Sequence, residues 1–317
     1  MRATEFRSWL SRLTQLNQTQ RDQLQTQLSC PQGMLAEALE PPEHCPHCQA
    51  TAIRPWGSSH GLARYRCRTC RRTCNALTGT PLARLRHREC WGRYAEAMVK
   101  SLTVRKAAEH CEVHKNTAFR WRHRFLRLIA EHRAQHESGI VEADETFFLE
   151  SFKGQRKLSR EARKRGGRAR RKGFTAEQIP VLVVRDRSGQ HADFQLKQLN
   201  AAHVGEVLRP LLDPDAVLCT DSAAIYQCVA KAEGITHHRV NLRQKRRTDG
   251  TFHIQNVNAY HGRLKLWMKR FNGVATKYLE NYLGWRRLLE RYGNDLNPLI
   301  CIKESLGSYP LQQLTQT

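Results

Sequence analysis

Four cysteines in the first third of the chain have the spacing of a metal site. They form two C-x2-C pairs, Cys45 with Cys48 and Cys67 with Cys70, and 18 residues separate the pairs. Two hairpin turns at this separation can bring four thiolates into a tetrahedron around zinc. Metal binding would also supply the stability that a segment of about 45 residues lacks. The spacing therefore predicts a structural zinc ion with no open coordination position.

Other potential ligands lie close by in the sequence, and one of them could replace a named cysteine: Cys74, His44, His47 and His60. Four unrelated buried thiols are the alternative interpretation. Redox chemistry is not indicated, because neither cysteine pair follows a βαβ pattern.

Two aspartates stand at places where a carboxylate is costly to bury. Asp144 lies in the middle of the predicted strand 140–149 beside apolar neighbours, and Asp221 directly follows the apolar run 216–220. Buried carboxylates are stable only when paired or metal-bound, and side chains at the carboxyl ends of strands commonly bind ligands. Two such acids and one further oxygen ligand would suffice for Mg²⁺. Each aspartate by itself is as well explained as a turn or cap residue.

The elements around these acids indicate an α/β sheet covered by helices. The pattern predicts strands at 140–149, 181–185 and 216–220, the last two being continuous apolar runs. Helical periodicity predicts helices at 201–212, 222–233, 255–270 and 275–291. The full division that we expect is an N-terminal helical segment at 1–40, a zinc ribbon at 41–90, a helical domain at 91–137, the α/β domain at 138–300 and a tail at 301–317.

Residues 102–128 predict two helices separated by a tight turn at 112–114, a pattern typical of a helix-turn-helix. The second helix would direct Asn116, Thr117 and Arg120 toward base edges, with Arg105 and Lys115 as further DNA contacts. Phe119 and Trp121 point to different faces, so at least one of them packs inward. An ordinary helical hairpin with a solvated basic face is the alternative.

The charge of the chain points to nucleic acid as its partner. The 317 residues include 53 Lys and Arg against 29 Asp and Glu, a formal charge of +24. Residues 151–172 alone carry 11 basic residues and one acid, which predicts a surface insertion whose Arg163, Lys164 and Arg165 contact phosphates. No apolar run approaches the 18 residues of a membrane span and no export signal is visible, so we expect a cytoplasmic, nucleoid-associated protein without membrane contacts.

Taken together, the motifs resemble those of an insertion-sequence transposase of the ISXO-like group. The resemblance rests on the order of the ribbon sequence 65–73, the helix sequence 115–121, the Asp144-Glu-Thr strand and Cys219-Thr-Asp221, and it covers nearly the whole chain past residue 40. It implies an RNase H-like catalytic domain in which three acids hold two Mg²⁺ ions. Asp144 and Asp221 correspond to the first two acids.

At the third acidic position this chain departs from the usual pattern. Asn258 stands where the family often has Glu, and Lys265 follows seven residues later. An amide oxygen can bind Mg²⁺ but brings no charge, so the second ion should be held more weakly. Two helical turns separate the two residues, so Lys265 could hold DNA phosphate beside the metals. Four residues could compensate as ligands: Glu142, Glu145, His253 and His261. A dead enzyme is the alternative.

These observations predict an enzyme that binds the terminal inverted repeats of an insertion sequence and carries out Mg²⁺-dependent cleavage and strand transfer of double-stranded DNA. It would act as a homo-oligomer on DNA and contain structural zinc. Two other functions stay open: a non-catalytic DNA-binding regulator derived from a transposase, and a structure-selective RNase H-like nuclease.

Overall fold

A computed structural model describes residues 8, 11–18, 20–21, 35, 37–158, 160–163, 166–167, 169, 177–221, 223–240 and 248–308. The chain forms two compact units, one made of residues 1–128 and 294–317 and the other of residues 129–293. The finer division into five segments stays a prediction.

The strands, in chain order, are β1 Ile53–Ser59, β2 Leu62–Cys67, β3 Thr73–Cys74, β4 Ile140–Leu149, β5 Gln178–Asp186, β6 His191–Gln195, β7 Val217–Thr220, β8 Thr236–Arg239, β9 Thr248–Asp249 and β10 Phe252–His253. The α-helices are α1 Trp91–Val99, α2 Val104–His110, α3 Lys115–Glu131, α4 Ala201–Leu208, α5 Ala224–Glu233, α6 Gln255–Lys269, α7 Leu279–Tyr292 and α8 Pro298–Leu306. Short 3-10 turns lie at Leu13–Gln15, Arg88–Cys90, Thr276–Tyr278 and Gly293–Asp295.

The first unit combines a small antiparallel sheet with a group of helices. The sheet has the order β1-β2-β3, and most residues of β1 are exposed on both faces. So little burial cannot stabilise three short strands alone. The helices pack better, because the rings of Tyr94, Trp121 and Phe125 meet edge to face. Arg122 is fully buried and donates a 2.8 Å hydrogen bond to the carbonyl of Leu102.

The two helices predicted within residues 102–128 are confirmed as α2 and α3. Thr103 begins α2, and its hydroxyl accepts a hydrogen bond from the amide of Lys106. Glu112 has a positive φ of 55° between the helices, which places the turn where the sequence predicts it. Trp121 is buried and Phe119 is 40% exposed, so the two aromatic residues do point to different faces.

The second unit is built on a five-stranded sheet with the order β6-β5-β4-β7-β8. The first three strands pair antiparallel, whereas β4–β7 and β7–β8 are parallel. The predicted mixed α/β class is therefore confirmed, and the predicted strands and helices are present. The helix predicted at 201–212 ends at Leu208 because Pro210 cannot donate a backbone hydrogen bond. The helix predicted at 275–291 begins as a 3-10 turn and becomes α7 at Leu279.

The two faces of this sheet have different roles. One face is an apolar core in which Val141 and Ala143 of β4 pack with residues of α4 and α5. The opposite face of β4 meets α6, and Glu142 and Asp144 lie on it, since alternate residues of a strand share a face. The polar face of the central strand is therefore covered by a single helix.

A buried ion pair ties α7 to the edge of the sheet. Arg287 pairs with Asp193 of β6, and its Nη2 donates a 2.8 Å hydrogen bond to the carbonyl of Ala130. The hydroxyl of Tyr260 in α6 donates to the same aspartate at 2.8 Å. Because both charges are almost completely buried, loss of either partner would leave the other as an unpaired buried charge. Among the described helices, none is long and apolar enough to cross a membrane.

A glycine in α7 allows close contact with the end of α3. A Cβ built on Gly284 would lie 2.5 Å from the Cα of Ala130 and 2.7 Å from the carbonyl oxygen of Ile129. We predict that Gly284→Ala lowers the free energy of unfolding by about 1–3 kcal/mol, since backbone atoms must move apart. Urea denaturation measures this change. Gly262→Ala in α6 is the matched control, because a Cβ there meets nothing within 4 Å. Equal stability of the two variants would contradict this packing.

Candidate metal and nucleic-acid site

Strand pairing brings the two predicted aspartates together. In the parallel β4–β7 ladder the last paired residues are Ala143 and Thr220, so Asp144 and Asp221 follow side by side. Adjacent strands lie about 4.8 Å apart, which places the two carboxylates within reach of a shared cation. The sequence predicted both strands, and the parallel pairing of β4 with β7 brings the two aspartates together.

The surroundings of Asp144 disfavour its ionised form. Burial, followed by the nearby carboxylates of Glu145 and Asp221, raises the pKa of Asp144 to about 7. The ammonium of Lys265 acts in the opposite direction. A buried carboxylate with a raised pKa beside other carboxylates is typical of a functional site that binds a cation.

Helix α6 presents three polar residues at helical spacing toward this region. Asn258, His261 and Lys265 are three and four residues apart and share one face. The Nδ1 atom of His261 lies 3.8 Å from Oδ2 of Asp144. Burial, with Lys265 nearby, lowers the pKa of His261 to about 4, so its imidazole is neutral at pH 7. Asn258 and Lys265 are exposed.

Asp221 retains ligand capacity at the end of β7. Its Oδ1 accepts a 2.9 Å hydrogen bond from the amide of Ala223, which fixes the turn into α5. Glu145, on the opposite face of β4 from Asp144, lies beside the buried hydroxyl of Tyr226, and burial raises the pKa of this glutamate. Glu145 therefore stays an alternative ligand.

The carboxylate oxygens of Glu142 already contact other groups of the protein. Its side chain is fully buried, and its two oxygens accept hydrogen bonds from the backbone amides of Asn256 and Val257 and from the Asn256 side chain. Arg187 Nη1 lies 2.7 Å from Oε1, and His253 Nδ1 lies 3.2 Å from it. A carboxylate offers about four lone pairs, so Glu142 has none left for a metal.

The four predicted cysteines converge in the first unit. Their sulfur atoms all lie within 4.8 Å of one another, with Cys45 and Cys70 at 3.6 Å and Cys48 and Cys67 also at 3.6 Å. The backbone amide of Cys70 helps to lower the pKa of Cys67 to about 6. Four sulfurs at 2.3 Å from one ion would be separated by about 3.8 Å, so the cluster could hold a metal.

Within the described ranges, no other group of three or more Cys, His, Asp or Glu ligand atoms is as compact. Nearby alternates to the cysteines have other contacts. The ring of His47 lies 3.2 Å from the carbonyl oxygen of Thr73, and Cys74 is buried outside the four.

The predicted DNA-contacting residues of the helical segment are accessible, with one partial exception. Arg105, Lys115, Asn116 and Arg120 are exposed, and Thr117 is half-buried. They lie on α2 and on the first turns of α3. The structure therefore leaves their side chains available to a ligand.

The basic insertion is different. The side chain of Arg163 is 14% exposed, donates a 2.6 Å hydrogen bond to the carbonyl of Glu150 and pairs with Glu177 at 3.2 Å. Phosphate binding by Arg163 would require breaking these contacts. Lys164 and Arg165 lie outside the described residues.

Comparison with known proteins identifies the second unit. Residues 137–286 match the model of the ISXO2-like transposase domain. The predicted resemblance to an insertion-sequence transposase is therefore confirmed over these residues. A relative from Halobacterium salinarum, described as an uncharacterized protein in transposable element ISH50, is 26% identical over 244 residues, which cover 76% of this chain and 82% of the relative.

Solved structures give only a distant likeness to this chain. The Mos1 transposase paired-end complex with left transposon end is 13% identical with a TM-score of 0.22, covering 69% of this chain and 80% of that one. The Mos1 strand transfer complex is 14% identical with a TM-score of 0.23, covering 69% and 79%. A similarity at this level does not establish a common fold.

Sequence reasoning missed the role of Glu142, which it treated as a possible metal ligand. A signal was present at the start of α6. Ile254 occupies the N-cap position and offers no side-chain acceptor, so the helix must be capped from elsewhere. The identity of that remote cap requires the tertiary structure.

Proposed function

We propose that this protein is an ISXO2-like transposase that binds the terminal inverted repeats of its element and catalyses Mg²⁺-dependent DNA cleavage and strand transfer. The observation that carries the proposal is the juxtaposition of Asp144 and Asp221 at the end of parallel strands, opposite the polar face of α6. The strand order, with three antiparallel strands followed by two parallel ones, supports an RNase H-like catalytic domain.

In this proposal Asp144, Asp221 and Asn258 hold two Mg²⁺ ions. When bound, the ions would activate a water or a 3′-hydroxyl and stabilise the leaving oxygen at phosphorus. Asp144 supplies a carboxylate whose ionisation is favoured by an added cation. Lys265 supplies a positive charge seven residues beyond Asn258 on the same helix face, where a DNA phosphate could be held.

Charge explains why DNA should complete the site. Two carboxylates balance only half of the charge of two divalent ions, and Asn258 adds none. Oxygen atoms of the scissile phosphate would supply the missing negative charge. The neutral imidazole of His261 is a further ligand within reach of Asp144. We therefore expect firm binding of both ions only in the DNA complex.

Two surfaces of the first unit suit duplex DNA. One is the exposed face of α2 and α3 with Arg105, Lys115, Asn116, Thr117 and Arg120, which we propose as a helix-turn-helix. The other is the β1–β2 hairpin. There Trp56 is 40% exposed, and the guanidinium groups of Arg54 and Arg66 lie 5.0 and 4.7 Å from its ring centre. A two-stranded ribbon of this kind can enter a DNA groove.

The deciding experiment incubates the purified full-length protein with DNA carrying the element ends and with Mg²⁺. Cleaved ends joined to a target duplex support the transposase. End binding without any cleavage would instead support a regulator. Cleavage without joining, governed by DNA structure and not by the end sequence, would support a structure-selective nuclease.

For the cysteine cluster we predict one zinc ion bound by Cys45, Cys48, Cys67 and Cys70. Cys67→Ala should lose the ion and unfold the ribbon, because metal binding is coupled to folding there. Elemental analysis and thiol titration measure this. Cys74→Ala is the matched control, since Cys74 is also buried but lies outside the four. A wild-type protein without zinc and with four reactive thiols would contradict the prediction.

For the helical surface we predict salt-dependent DNA affinity. Each lost phosphate contact should reduce the slope of log affinity against log salt by about 0.9. The double variant Lys115→Ala, Arg120→Ala should therefore flatten the slope by up to about 1.8 in a fluorescence-anisotropy titration. Lys100→Ala serves as the control, because Lys100 is basic and exposed but pairs with Glu96. Equal slopes for the double variant and the control would show that this face of the helices makes no phosphate contacts. The insertion residues Arg163, Lys164 and Arg165, changed together to Ala, are tested in the same titration.

For the aspartate site we predict that Asp144→Ala and Asp221→Ala each reduce cleavage by roughly 100-fold or more without weakening end binding. Each change removes a charge and a ligand. Asn258→Ala should be nearly as severe, and Asn258→Asp should retain activity at a changed Mg²⁺ requirement. A Mg²⁺ titration of strand transfer measures all four variants. Wild-type activity in Asn258→Ala would remove this residue from the site and favour Glu145 or His261.

A further inference from the structure

The first turn of α6 is held by a carboxylate from the central strand. Glu142 Oε2 accepts hydrogen bonds from the amides of Asn256 at 2.9 Å and Val257 at 3.1 Å. These are the second and third residues of the helix, whose amides have no partner within the helix itself. Because Ile254 provides no cap, Glu142 satisfies the helix start and places negative charge at its positive end.

The same carboxylate connects α6 with two other segments. Its Oε1 accepts a 2.8 Å hydrogen bond from Nδ2 of Asn256 and lies 2.7 Å from Nη1 of Arg187, which follows β5. Arg187 also donates to the carbonyl of Thr251 at 3.0 Å, and His253 lies beside both groups. We call Glu142, Arg187, His253 and Asn256 the α6 clamp. It joins β4, the β5–β6 turn, the β9–β10 hairpin and α6.

The position of the clamp connects it to the metal site. Glu142 is two residues before Asp144 on the same face of β4, about 7 Å away along the strand. Val257, whose amide the clamp holds, directly precedes Asn258. One turn farther along α6, His261 lies 3.8 Å from Asp144. The clamp therefore fixes the position of α6 along β4, the strand that carries Asp144, and the rotation of α6 about its own axis.

We propose that Glu142 is a positioning residue, which holds the first turn of α6 so that Asn258 reaches the metal beside Asp144. The inference rests on the proposed metal-dependent function. It gives Glu142 no contact with substrate or metal, because all of its acceptor capacity is used within the clamp. An amide ligand without charge depends strongly on correct placement, so the clamp would compensate for the asparagine at position 258.

Glu142→Gln is the main test in the full-length protein. The amide nitrogen cannot accept hydrogen bonds, so the hold on Asn256 and Val257 is weakened while size is kept. We expect the Mg²⁺ concentration for half-maximal cleavage to rise about 10-fold, the lower end of what loss of a group supporting a metal ligand produces. Activity at saturating Mg²⁺ and end binding should stay close to wild type. Glu137→Gln is the matched control, since Glu137 is another fully buried carboxylate of this unit outside the clamp.

Two measurements do not depend on cleavage. Hydrogen exchange should show faster exchange at Asn256 and Val257 in Glu142→Gln than in wild type. Binding of Mn²⁺ to the protein–DNA complex, followed by electron paramagnetic resonance, should weaken by the same factor of about 10. Asn256→Ala removes only one contact of the clamp, so it keeps the test open if Glu142→Gln does not fold. It should shift metal demand in the same direction by a smaller factor.

Three results would overturn the inference. Metal demand and exchange rates equal to wild type would show that the clamp positions nothing. Loss of activity at every Mg²⁺ concentration in a folded Glu142→Gln would make Glu142 part of the reacting site. An equal shift in Glu137→Gln would make the effect one of general stability. Failure of the proposed function is distinguishable, because it appears as absent metal binding and cleavage in the wild-type protein.

Discussion

The parallel pairing of β4 with β7 is the constraint on which the second unit depends. It sets Asp144 beside Asp221 in surroundings where burial and a third carboxylate, Glu145, already disfavour negative charge. Such an arrangement costs folding free energy in the absence of a cation. The sheet must therefore be stable for other reasons, which the apolar face of β4 and the continuous apolar run of β5 provide.

The other face of the sheet is organised around the same acids. A single helix, α6, covers the polar side of β4, and its own residues bring no carboxylate to it. Glu142 contacts the helix at its first turn, and Tyr260 reaches the buried Asp193–Arg287 pair farther along. A helix anchored by polar contacts at these two places keeps a defined orientation, which a mixed polar surface alone would not give it.

Much of this architecture could be predicted from local sequence. Continuous apolar runs identified β5 and β7, apolar residues on both sides of Asp144 identified β4, and C-x2-C spacing identified the sulfur cluster, because these signals are contained within short segments. The contact between Glu142 and Asn256 spans 114 residues and has no local signal except a missing cap. Arg163 illustrates the same limit. Its sequence context is that of a solvated basic surface, yet Glu150 and Glu177 from the flanking segments engage it.

We propose that Asp144 and Asp221 share divalent metal with Asn258 when DNA is bound. Anomalous diffraction from crystals of the full-length protein with a duplex carrying the element end and Mn²⁺ tests it most directly. We expect peaks between Asp144 and Asp221, with the amide oxygen of Asn258 and a phosphate oxygen among the ligands. Mn²⁺ bound elsewhere, or bound between the aspartates with Asn258 turned away, would contradict it.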